Sequence, residues 1–266
     1  TSVLKEIMSD YKPDYTNDEL LALYTYTGGV PKYVELLVDN KALTIHKMIK
    51  YICQSDSPFI DEGRNLLIQE FGKKYGNYFS ILYAISSGMN TQSQIEAFMG
   101  EKSIGGQLNK LETVYEVIKK QRPLFAKEGS QTVRYEVSNN FLRFWFRYIE
   151  RNRTLIELGN YEGLSKLIND DYPTYSGKTL ELYFKQKLQE SFEYRAIGSW
   201  WEPKGDQNEV DIVAVTLDNK KALVAEVKRQ RKNFKPQLLE NKIDVLKNKV
   251  LNRYEINSLC LDIEDM

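Results

Sequence analysis

Asp211, Glu226 and Lys228 lie in two short strand-like runs, Glu-Val-Asp-Ile-Val-Ala-Val from Glu209 and Ala-Leu-Val-Ala-Glu-Val-Lys ending at Lys228. Asp218-Asn219 between them is a turn signal. With that dipeptide as a two-residue hairpin loop, Leu217 faces Lys220 and, counting back, Asp211 faces Glu226. Directly opposed residues project from one sheet face with Cβ atoms roughly 4.5–5.5 Å apart. Two carboxylates so placed repel each other unless a cation lies between them. A divalent metal meets that need, and acid, acid, x, lysine on adjoining strands is a pattern suited to a metal-dependent nuclease. The same register sets Lys228 against Glu209, so an ordinary cross-strand ion pair also accounts for the lysine. Charged residues also occupy the wet face of any antiparallel hairpin.

Glu181 is a third acid of interest. On a helix expected over Thr179–Phe192 it shares a face with Phe184 and Leu188, which directs its carboxylate toward the packed side. A charge aimed at a core needs a partner, and a metal bridging Glu181, Asp211 and Glu226 would be one. A first-turn acid stabilised by the helix dipole is the plainer alternative. Downstream, Lys228 to Arg253 holds nine Lys/Arg against two acids, a local excess suited to phosphates or to a solvated helix face.

Several chemistries drop out. Gly177-Lys178-Thr179 resembles the tail of a phosphate-binding loop, but Tyr172 stands where the motif needs its first glycine, so ATP binding by that loop is not expected. Two cysteines, Cys53 and Cys260, and the single His46 allow neither a disulfide framework nor a Cys/His metal cluster. The 37 basic and 37 acidic side chains cancel, so net charge names no partner. No apolar run approaches membrane-spanning length and the start carries no signal-peptide core, which points to a cytoplasmic protein with no membrane partner. The chain opens on Thr1 rather than Met, as expected of a piece of something longer.

The elements that must position these residues follow from periodicity and punctuation. Residues 1–60 read as a small helical unit. Glu19–Tyr26 ends at Thr27-Gly28-Gly29, Pro31 opens a second helix, and a third spans about Thr44–Cys53. Residues 61–153 read as helices Asn65–Tyr75, Tyr78–Ser86, Gln92–Met99 and Ile104–Tyr115, the last led by Ser103. Strands Val114–Lys119 and Thr132–Val137 follow, joined by a turn at Glu128-Gly129-Ser130. The last three of these helices and then the hairpin give the order of a winged helix, whose third helix, Ile104–Tyr115, carries Gln107, Asn109 and Lys110. The aromatic run Phe141–Ile149 reads as a buried helix rather than a base-stacking platform. Residues 154–266 turn mixed α/β: a helix, a strand over Tyr194–Trp201, the acidic hairpin, a helix over Pro236–Lys249 and a strand over Ile256–Ile263.

Leu180-Glu181, Trp200-Trp201, Glu209-Val210-Asp211-Ile212-Val213-Ala214 and Ala225-Glu226-Val227-Lys228 together resemble the PD-(D/E)XK nuclease-like domain. The nearest version is the one fused to the C-terminus of archaeal-type AAA+ ATPases. Thr27-Gly28-Gly29-Val30-Pro31-Lys32-Tyr33 resembles the helical lid of those ATPases, and the middle segment resembles their winged helix. The acidic strand reads Val-Asp where the motif has Pro-Asp, and the nucleotide-binding core is absent. The resemblance implies a multi-domain fold, an α-helical lid and winged helix followed by an α/β nuclease-like domain. It further implies metal-dependent DNA cleavage. Asp211, Glu226 and Glu181 would hold Mg²⁺ or Mn²⁺, with the Val227 carbonyl as a further ligand, and Lys228 would steady the transition state. Arg229, Arg231, Lys232 and Lys235 would hold the DNA backbone. The missing ATPase core would be a partner in the full-length protein. A non-catalytic DNA- or protein-docking module is the competing expectation.

Overall fold

The computed structural model describes residues 1–100, 103–127, 129–202 and 208–266, without the side chain of Lys74. Glu128 of the expected turn therefore lies outside the described residues. Among those described, twelve α-helices and six strands make a mixed α/β chain. They are α1 (Ser2–Tyr11), α2 (Asn17–Thr27), α3 (Pro31–Asp39), α4 (Ile45–Ile52), α5 (Pro58–Phe71), α6 (Tyr75–Ser86), α7 (Gln92–Phe98), α8 (Gly105–Thr113), β1 (Ile118–Gln121), β2 (Arg134–Val137), α9 (Asn140–Phe144), α10 (Arg153–Glu157), α11 (Tyr161–Glu190), β3 (Tyr194–Trp200), β4 (Val210–Thr216), β5 (Lys221–Val227), α12 (Pro236–Lys249) and β6 (Glu255–Leu261). No helix among them is long and apolar enough to cross a membrane.

The chain divides into two compact units. One comprises residues 6–121 and 133–172, the other residues 1–5, 122–132 and 173–266. In the first, the helix boundaries follow their local chemistry. Thr16 and Glu19 form a capping box at the start of α2, and Gly28 (φ 65°) ends it in the left-handed conformation. Thr91 and Gln94 form a second box that opens α7. The α8 helix begins at Gly105 with Ile104 rather than Ser103 at its cap, and β1–β2 is a four-residue antiparallel ladder from Ile118↔Val137 to Gln121↔Arg134. Phe141, Phe144, Trp145, Phe146, Tyr148 and Ile149 are buried, as expected of a core helix. Past Phe144 that helix widens to a π-helical turn over Trp145–Glu150. Tyr33 and Phe59 ring Phe141 at 4.1 and 6.0 Å, and Tyr26 meets Phe144 at 5.0 Å.

The second unit is built on a four-stranded sheet in the order β3-β4-β5-β6. The first two pairings are antiparallel, while β5–β6 is parallel. A parallel pair cannot close through a tight turn, and α12 is its crossover. β-Branched and small apolar residues fill β4 and β5, whose interiors are buried from Ile212 to Val215 and from Ala222 to Val227. One face packs against α12 through Trp200, Val210, Val213, Ala222, Val224, Leu239 and Leu246. The connection between β1 and β2 belongs to this unit: the Leu124 N–H bonds to the Ser199 carbonyl at 2.8 Å, and Phe125 meets Tyr254.

One sequence expectation is corrected. Glu181 does not lie in the first turn of a helix, because α11 runs unbroken from Tyr161 to Glu190 through Pro173. Proline and Gly177 look like breakers, yet an interior proline costs a helix one N–H and a steric penalty that burial elsewhere along the helix outweighs. The macrodipole at the helix start therefore does not account for Glu181.

Candidate functional site

The hairpin register is the one the turn dictates. Ile212↔Ala225, Val213↔Val224, Ala214↔Leu223 and Val215↔Ala222 are paired, and one further step sets Asp211 against Glu226. The strands end at Thr216 and Lys221, so the connection is four residues rather than the expected two, in the same register, with Asn219 (φ 59°) left-handed and the Asp218 carboxylate accepting the Lys220 N–H at 3.0 Å. Alternation along each strand places Asp211 on the face of Val213, and Glu226 on that of Val224 and Ala222, which α12 covers.

Where the ladder ends, the Asp211 carboxylate takes over as acceptor: its Oδ2 receives the Val227 N–H at 2.8 Å. Lys228 Nζ bonds Glu226 Oε2 at 2.7 Å and stands 3.6 Å from Asp211 Oδ2. Lys228 thus turns toward these two acids. Burial, then the charges of Glu181 and Glu226, push the Asp211 carboxyl up to about 6, against the Val227 N–H and Lys228. Burial acts on Glu226 in the same sense, but hydrogen bonds from Lys228 and Lys242 outweigh it and hold Glu226 below the ordinary range. Burial lowers Lys228 and the two acids more than compensate, so its pKa is raised and it is cationic at neutral pH.

Glu181 is near enough for its charge to act on Asp211, but its Oε2 is bonded by Lys178, one turn back, at 2.7 Å. Of the four expected site residues, the structure brings Asp211, Glu226 and Lys228 into one ion-paired group, with Glu181 acting on it through its charge. Among the described residues no three His, Cys, Asp or Glu side chains are arranged as they stand to hold a metal ion. The donor chemistry nonetheless fits Mg²⁺ or Mn²⁺. A half-buried and a buried carboxylate side by side supply hard oxygen ligands, and the share of the upward push on Asp211 that comes from the charges of Glu181 and Glu226, second to burial, is one a dication relieves.

The expected phosphate contacts split. Arg229 bonds the buried Ser176 hydroxyl at 2.6 Å, and Arg231 bonds Asp262 and Asp265 at 2.7 and 2.6 Å. Lys232 and Lys235 are exposed. Sequence reasoning missed Lys242, whose Nζ bonds Glu226 Oε1 at 2.5 Å. The signal was present: Lys242 lies three residues after Leu239 and four before Leu246, both buried, on the inward stripe of α12. Also missed was Lys185, which bonds the Ser199 hydroxyl at 2.6 Å; that hydroxyl in turn bonds the Asp211 carbonyl at 3.0 Å.

Residues 145–242 match DUF234, a family model described as archaeal and bacterial proteins of unknown function. All of the residues gathered around Asp211 and Glu226 fall inside that span. Over 230 residues the chain is 32% identical to an uncharacterized protein of Methanocaldococcus jannaschii, covering 83% of this chain and 50% of the relative. The chain therefore spans about half the length of the curated relative it matches. No solved structure matches it.

Proposed function

We propose that the sheet-bearing unit is a PD-(D/E)XK-type, metal-dependent DNA phosphodiesterase and that the chain is the C-terminal part of an AAA+ ATPase, with lid-like and winged-helix segments upstream. The observation that carries this reading is the joining of Asp211, Glu226 and Lys228 in one group at the end of a hairpin. Asp211 and Glu226 would hold Mg²⁺ or Mn²⁺, with Glu181 as the third acid. The metal, when bound, supplies charge for the scissile phosphate and acidifies a water. The Val227 N–H holds Asp211 in place, and Lys228, already cationic, adds positive charge where the phosphate becomes more negative. Lys232 and Lys235, exposed beside the site strand, suit contacts to the DNA backbone that carry no sequence preference.

The lysine pairing favours a second reading, a non-catalytic docking module. Both oxygens of Glu226 are taken by ammonium groups, and Glu181 is paired as well. A cleavage assay on supercoiled plasmid with Mg²⁺ or Mn²⁺, run beside a DNA-binding assay, separates the two. Nicking by the wild type that is lost in Asp211→Asn and Lys228→Met supports the phosphodiesterase. Binding without nicking, unchanged in Asp211→Asn, supports the docking module.

A further inference from the structure

Glu226 is the most enclosed acid of the site, 6% exposed, and it holds two ammonium groups at once. Lys228 comes from the residue just after the same strand and is shared with Asp211. Lys242 reaches in from α12, and Glu226 is its ion-pair partner. With Lys178 on Glu181, each of the three carboxylates already has an ammonium partner.

A dication at Glu226 needs one of its oxygens, and an ammonium must withdraw to free it. Lys228 follows directly after β5 and is held by two acids. Lys242 comes from a separate helix and pairs with Glu226, so its departure breaks one ion pair and leaves Glu226 with Lys228. We propose that Lys242 is the built-in counter-ion of the cation-free site: it neutralises Glu226 until a divalent cation takes that carboxylate, and its displacement sets how tightly the cation binds. This rests on the metal-site reading above. The competition is electrostatic, since a dication drawn to Glu226 is repelled by the Lys242 ammonium on the same carboxylate. Removing the Lys242 charge therefore tightens cation binding. A residue that merely braced the site would weaken it when removed.

Calorimetric titration of the purified protein with Mn²⁺ near neutral pH tests this in the wild type, Lys242→Met, Lys242→Gln and Lys242→Arg. Lys242→Met and Lys242→Gln, the latter keeping a neutral hydrogen-bond donor, are expected to bind Mn²⁺ about tenfold tighter or more, while Lys242→Arg keeps the wild-type affinity. The melting temperature should rise more with Mn²⁺ in the two neutral variants than in the wild type. Unchanged or weaker binding by a folded Lys242→Gln, with the wild type still binding, overturns the counter-ion role and leaves the metal site standing. Absence of Mn²⁺ binding by every protein, the neutral variants included, overturns both.

Discussion

The Asp211 carboxylate accepts the Val227 N–H at 2.8 Å, so an acid of β4 is tied to the strand that carries Glu226. That bond favours the ionised form, and yet burial and the charges of Glu181 and Glu226 prevail and push Asp211 up to about 6. Ionised Asp211 therefore carries a cost in this fold at neutral pH, from burial first and then from its acidic neighbours.

A carboxyl whose folded pKa is raised contributes stability that is fully present below its unfolded pKa and is lost as pH rises through the folded value. For Asp211 the window runs from about 3.8 to about 6. Asp211→Asn keeps an acceptor for the Val227 N–H and removes the charge. It should stabilise the cation-free protein above about pH 6 by on the order of 2 kcal/mol, with the gain shrinking toward pH 4. Thermal melts in chelator across that range check it. A gain that grows on acidification contradicts the assignment.

Glu226 has the opposite sign. Its folded pKa is lowered, so its contribution is present above its unfolded pKa and lost as pH falls through the folded value. Glu226→Ala strands Lys228 and Lys242 beside a buried gap, and loss of one partner of a buried pair costs roughly 3–5 kcal/mol. Glu226→Gln, isosteric and keeping an acceptor oxygen for one of the two lysines, should cost less. Urea denaturation of the two variants measures the difference.

The Asp211–Glu226 register was legible because a tight turn of the right composition fixes every opposed pair upstream of it, and alternating burial then fixes the face. The helices of residues 6–121 were legible where Gly28 and Pro31 mark their ends, while the capping box of Thr16 and Glu19 was not read. The length of α11 was hidden, because Pro173 and Gly177 are breakers in isolation and only tertiary packing keeps them helical. Sequence order alone also could not show that the segment between β1 and β2 belongs with the sheet-bearing unit, since Leu124 meets Ser199 across 75 residues of chain. Lys242 was readable as a lysine on a buried stripe, but its target depends on the parallel crossover from β5 to β6, which local periodicity does not encode.

In the first unit, Gly63 sits against the Trp145 indole so closely that a Cβ there would lie 2.2 Å from ring carbon Cδ2. Trp145 cannot step aside cheaply. It is fully buried, and its indole N–H bonds the Ile60 carbonyl at 3.0 Å. Gly63→Ala should therefore destabilise by about 1–3 kcal/mol, the reverse of the gain usual for glycine to alanine within a helix. Gly63→Ala paired with Trp145→Phe should recover part of that loss in a thermal melt.

The basic segment after β5 contains residues with two different duties, and one experiment separates them. Arg231 spans Asp262 and Asp265, and the Asp262 side chain is only 4% exposed, so Arg231→Ala leaves a buried carboxylate without its cation. Its main effect should be a lower melting temperature. Lys232 and Lys235 are exposed, and replacing either with alanine should leave the melting temperature nearly unchanged. If they touch DNA phosphates, each substitution should weaken binding on every sequence alike and reduce the slope of log affinity against log salt by about 1. Fluorescence-anisotropy titrations at several salt concentrations read that slope directly. A slope unchanged in the double variant Lys232→Ala/Lys235→Ala removes this segment from the DNA interface.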